Sequence, residues 1–116
     1  MKTFKTTLTC LIFSLVSLQL QAQNNGVCIG ESAANGAHTL AGGDNSTANG
    51  TASLAMGLNA KTTGDYSLSV GENTHSIGES SVAFGTSTNA NGDFSLAGGL
   101  ACTANGLYSI AFGINS

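Results

Sequence analysis

A chain of 116 residues with 16 Gly, no Pro and no Trp has room for one small domain at most. Its formal net charge is −3, and two of its three bases, Lys2 and Lys5, lie at the N-terminus. Beyond them one base, Lys61, faces six acids, formally −5 (1 − 6), so no basic patch exists to neutralise phosphates and nucleic acid is excluded as a partner.

The chain opens with a leader pattern. Lys2 and Lys5 precede an apolar run from Leu8 to Leu20, followed by Leu20-Gln21-Ala22-Gln23. A basic start, a short apolar core and a small residue before a polar stretch predict a secretory signal peptide over residues 1–22. A short segment, 23–26, then leads into the body of the chain. The run is short for a membrane span and is interrupted by Ser and Thr, so no span is expected in the mature chain. Cys10 sits before most of the apolar core, which is the wrong place for a lipid-modified cysteine.

From residue 27 onward the sequence is a repeat. Ser81-Val82-Ala83-Phe84-Gly85 recurs at Ser53–Gly57, Ser67–Gly71, Ser95–Gly99 and Ser109–Gly113, with a looser copy at Thr39–Gly43. The spacing is 14 residues, and a second glycine falls between copies at Gly36, Gly50, Gly64, Gly78, Gly92 and Gly106. A fixed short period over most of a chain predicts a solenoid. Gly every seven residues and the lack of a 3.6-residue stripe disfavour helix.

Each coil reads as two short strands and two tight turns. Side chains alternate across a strand, so Phe94, Leu96 and Gly98 should share one face and Ser95, Ala97 and Gly99 the other. The second half-coil is small, as in Thr88-Asn89-Ala90. Asn-Gly at 35–36, 49–50, 91–92 and 105–106 marks one bend, where positive φ is expected. Asn45, Asn59, Asn73 and Asn115 mark the other. The first coil is irregular: Val27-Cys28-Ile29-Gly30 fits the apolar motif, but Gly30 to Gly36 is one residue short. The prediction is an all-β, parallel β-roll over 27–116, with about six to seven coils.

The positions expected to hold this roll are Leu54, Met56, Gly57, Leu68, Val70, Gly71, Val82, Phe84, Gly85, Leu96, Ile110 and Phe112, with the six turn glycines. A coil is thin, so the small side should pack inward. The bulky side, too large an apolar patch for a soluble monomer, should then point outward and be covered by partners; the reverse, bulky side inward, would bury it in each chain's own core. Cys28 and Cys102 lie about five coils, or roughly 24 Å, apart, beyond the reach of a disulfide. Both read as small buried residues.

Ser-Val/Leu/Ile-Ala-hydrophobic-Gly every 14 residues, with the second Gly between, closely resembles the head repeat of the YadA-like trimeric autotransporter adhesins of Gram-negative bacteria. The resemblance covers residues 27–115. It implies a left-handed roll and a homotrimer of three chains side by side at the cell surface. It also implies binding to extracellular matrix or host-surface proteins or glycans. The family's neck, coiled-coil stalk and β-barrel anchor would bring heptads and barrel strands, which this sequence does not show. A fragment, a shortened gene and a free secreted head are the open readings.

No enzyme chemistry is expected. His38 and His75 fall in different columns with no metal-ligand spacing, and no Ser has a His-and-acid constellation. Asp65, Glu79 and Asp93 share a column, but the calcium-roll nonapeptide is absent, so neither metal nor cofactor is expected. A structural spacer of a secreted or fibre-type protein is the competing reading. An ice-binding array is not favoured, because Thr47, Lys61, His75, Asn89 and Thr103 make too mixed a column.

Overall fold

The computed structural model describes residues 26–116. The expected signal peptide, 1–22, lies outside the described residues, as does Cys10. The described residues form an all-strand, parallel β-solenoid of about six turns, with no helix among them.

Two strands at the N-terminal end, β1 (Val27–Ala34) and β2 (Leu40–Ala48), each continue through one bend and so span both strand positions of their coil. After them each coil carries a five-residue strand and, in all but the last, a two-residue strand. The long strands are β3 (Leu54–Leu58), β5 (Leu68–Glu72), β7 (Val82–Thr86), β9 (Leu96–Leu100) and β11 (Ile110–Ile114). The short ones are β4 (Lys61–Thr62), β6 (His75–Ser76), β8 (Asn89–Ala90) and β10 (Thr103–Ala104). Long strands pair with long and short with short, all in parallel, and β2 joins both ladders. The register is the repeat itself: Leu54 pairs with Leu68, Leu68 with Val82, Val82 with Leu96 and Leu96 with Ile110.

The missing residue of the first coil is absorbed at one point. β1 and β2 are in register from Val27↔Leu40 to Glu31↔Asp44, then shift so that Ala33 meets Thr47. Every later coil has a left-handed residue at this bend, beginning with Asn45 (φ 58°), and the first coil lacks its counterpart. Ser32 fills the corner instead, with its hydroxyl 3.0 Å from the Ile29 carbonyl and 2.9 Å from that of Ala41.

The interior is made of small side chains. Cys28, Ala34, Ala41, Ala48, Ala55 and Ala60 form one apolar cluster, and Ala83, Ala90, Ala97 and Ala104 another. Between them the same columns carry buried hydroxyls. Thr62 Oγ1 donates to Ser53 Oγ at 2.9 Å. Ser76 Oγ donates to the Leu68 carbonyl and lies 3.0 Å from Ser69 Oγ, which also reaches the Lys61 carbonyl at 2.7 Å. Most hydroxyls can live in so thin a core because backbone carbonyls of adjacent coils come within reach, although those of Thr74, Thr88 and Ser95 find no partner. Cys28 and Cys102 are both fully buried, and Cys102 keeps a free thiol, so the two are not bridged.

Candidate functional site

The motif serine has a structural task that the sequence pattern alone does not reveal. Ser53, Ser67 and Ser81 each donate to the carbonyl of the turn glycine three residues earlier, Gly50, Gly64 and Gly78, and Thr39 does so to Gly36. The Gly-x-x-Ser spacing is the signal that was available. These hydroxyls hold the bend closed, so they are not free nucleophiles.

The turn glycines themselves are not where positive φ resides. Gly36, Gly50, Gly64, Gly78, Gly92 and Gly106 all lie outside the left-handed region. That corrects the expectation drawn from Asn-Gly. The left-handed residue comes two positions later, at His38, Ala52, Tyr66, Ser80, Phe94 and Tyr108, with φ between 53° and 59°. Each of the last five turns its amide back to the preceding coil, as Tyr66 N does to the Thr51 carbonyl at 2.8 Å. Gly is needed at the bend for another reason: the coils touch there. A Cβ on Gly78 would collide with the Gly92 carbonyl and sit 2.7 Å from Asp93 N. At the opposite bend Asn45, Asn59, Asn73 and Asn115 are all left-handed. The motif glycines before them, Gly43, Gly57, Gly71 and Gly113, also have positive φ, from 109° to 131°.

That change of hand limits the strand alternation. Ser95 and Ala97 are buried as expected, but Gly99 is exposed, because its φ of 113° starts the bend. Gly98 lies buried under the outer face instead. A Cβ there would meet the Phe84 and Phe112 rings, which close over it edge to face with centroids 5.4 Å apart.

The long strands therefore carry an outward apolar ladder. Leu54, Leu68, Val82 and Leu96 are half-buried and Ile110 is 70% exposed, while Met56, Val70, Phe84 and Phe112 are exposed. Aromatic side chains at the left-handed corner flank it, with Phe94 and Tyr108 stacked at 5.2 Å and Tyr66 exposed. Leu58, Leu100 and Ile114 are exposed at the far corner.

The short strands present a polar face. Thr47, Lys61, His75, Asn89 and Thr103 form its outward column, one residue per coil. Asparagine ladders run along the bends on both sides. Asn45 donates to Asn59 at 2.6 Å and Asn59 to Asn73 at 3.2 Å. On the other side Asn35 donates to Asn49 at 2.8 Å and Asn91 to Asn105 at 2.7 Å. Asp65 and Asp93 share their column but accept from the Thr51 and Glu79 amides of the preceding coils, at 2.7 and 2.8 Å. No group of three His, Cys, Asp or Glu side chains suited to a metal occurs among the described residues.

The family model of the YadA head domain repeat matches residues 48–74, 76–100 and 103–116, more than half of the chain. No curated protein and no solved structure matches it.

Proposed function

The chain belongs to the YadA head domain repeat family, and from that premise we propose that it is a surface-exposed, adhesin-like head module that binds host or matrix surfaces as a homotrimer, without catalysis. The observation that carries this reading is the outward apolar ladder from Leu54 to Ile110, with Met56, Val70, Phe84 and Phe112 beside it. A soluble monomer rarely leaves so continuous an apolar face in water. Three copies around an axis cover it and leave the polar short-strand faces outward. A small domain also gains more from association than a large one, because its own core is thin. The hydroxyl-bearing residues of the bends serve the backbone, which is the economy of a scaffold. Export by the leader and display on a Gram-negative cell surface complete the proposal. Its ligands are matrix or host-surface proteins or glycans.

Beads coated with the purified full chain test the adhesive function on surfaces of collagen, fibronectin and glycans. Retention on one class of surface, above beads carrying an unrelated protein, is the expected result. Retention no better than the control on every surface would leave the roll a spacer. Sedimentation of the same material tests the assembly, and a folded, monodisperse monomer would end the trimer reading.

A further inference from the structure

The polar face holds a shallow trough of about 310 Å³ that the repeat does not require. Its floor is Thr47, Lys61 and His75, one residue from each of three successive coils. Parallel strands space them by about 4.8 Å. Asn45 and Asn59 wall it on one side, Asn35 and Asn49 on the other. No carboxylate lines it.

Three features set this trough apart. First, Lys61 is the one Lys or Arg among the described residues, and it forms no ion pair although six acids lie on the same roll. A lone cation among an excess of acids, left unpaired, is positioned for a charge from outside. Second, the walls are ordered in advance. Each asparagine is tied to its ladder neighbour, so little side-chain freedom remains to be lost on binding. The ladders leave Asn49 Nδ2 as a spare donor and Asn45 Oδ1 as a spare acceptor. Third, His75 is oriented by its partner. Asn89 Oδ1, 3.0 Å from His75 Nδ1, can only accept, so Nδ1 donates there and Nε2 is the ring nitrogen left for a ligand.

We infer that this trough is a binding site for a saccharide bearing a single carboxylate, with Lys61 taking the carboxylate and the asparagines and His75 taking hydroxyl and amide groups. One cation among many neutral donors and acceptors suits a mono-anionic, hydroxyl-rich ligand. A polysulfated chain, charged at every residue, would call for a row of cations that this face lacks. The volume fits one sugar residue and its immediate neighbour rather than a long chain. The site rests on the adhesin reading for its biological sense, and it stays open in a trimer joined through the long-strand face. Three copies per head turn a weak single contact into a useful one by multivalency.

Nuclear magnetic resonance titration of the full chain with the α-methyl glycoside of N-acetylneuraminic acid tests the inference. The expected result is saturable shifts at Lys61, His75 and the four wall asparagines. The carboxyl methyl ester of the same sugar should bind at least tenfold more weakly, as should the parent sugar to Lys61→Met. Lys61→Arg should keep most of the affinity. Absence of shifts at tens of millimolar, equal binding of the ester, or the same shifts from acetate alone would each overturn the site. The titration is read without any matrix surface. Sugar binding with no bead retention breaks only the adhesin reading, and bead retention unchanged by Lys61→Met, with no sugar binding, breaks only this site.

Discussion

The two outer faces of the roll stand over the same interior and share little else. Beneath both lie columns of Ala, Ser, Thr and Cys. Above the long strands stand Leu, Val, Met and Phe, and above the short strands Thr, Lys, His and Asn. The long strands present two outward residues per coil, such as Leu68 and Val70, which merge into a ladder. A two-residue strand presents one, such as His75, between bends lined by amides. The stack is therefore specified by its interior and bends, and the outer faces are free to differ. That freedom is what the proposed division of labour, one face for assembly and the other for recognition, relies on.

The comparison fails first if the common interior is broken. Gly78→Val places a branched side chain against the Gly92 carbonyl, so it should cost about 3 kcal/mol or more and remove the properties of both faces at once. Urea unfolding checks this, and an unchanged midpoint would count against stacked bends. The next largest effect separates the faces. Leu68→Asp with Leu96→Asp should abolish association, at about 3 kcal/mol or more per buried charge, while the chain stays folded. Asn89→Asp on the polar face should leave the sedimentation profile as it was. A trimer surviving the double change would show that the ladder is not the interface.

Smaller effects sharpen the account of the shared interior. Thr88 Oγ1 is buried with no hydrogen-bond partner, unlike the hydroxyls of Thr62 and Ser69. Thr88→Val keeps the shape and removes the orphan, so stability should rise by about 1 kcal/mol. Thermal unfolding would register this, and a loss of similar size would mean that the hydroxyl is satisfied after all. Ala52 holds φ of 53°, a conformation that Asn tolerates better. Ala52→Asn should add a few tenths of a kcal/mol, up to about 1, seen as a small rise in the urea midpoint with no change in either face.

The period, the parallel pairing, the short coil strands and the small interior were all legible in the sequence. Each is dictated locally: a residue type returns every 14 positions, and identical positions stack. Even the defect of the first coil was visible as one residue missing between Gly30 and Gly36. Volume favoured an outward apolar side, since a coil this thin leaves little room for Leu and Phe beside its alanines, but the inward arrangement was open until the burial of each column was known.

Other features depended on contacts between coils, which no single coil encodes. The turn glycines were read as left-handed because Asn-Gly so often is. In the roll they are small because the next coil's carbonyl presses on them, and the strained φ passes to Tyr66, Phe94 and Tyr108, whose amides bond to the coil before. Gly98 reads as a weak copy of the motif, yet it is the space in which Phe84 and Phe112 meet across an intervening strand. Lys61, His75 and the asparagines looked like a mixed column and scattered turn residues, and only the stack brings them around one trough. The sequence set the period and the size of the side chains. Which backbone atoms collide and which distant side chains become neighbours was decided only when the coils were laid one strand spacing apart.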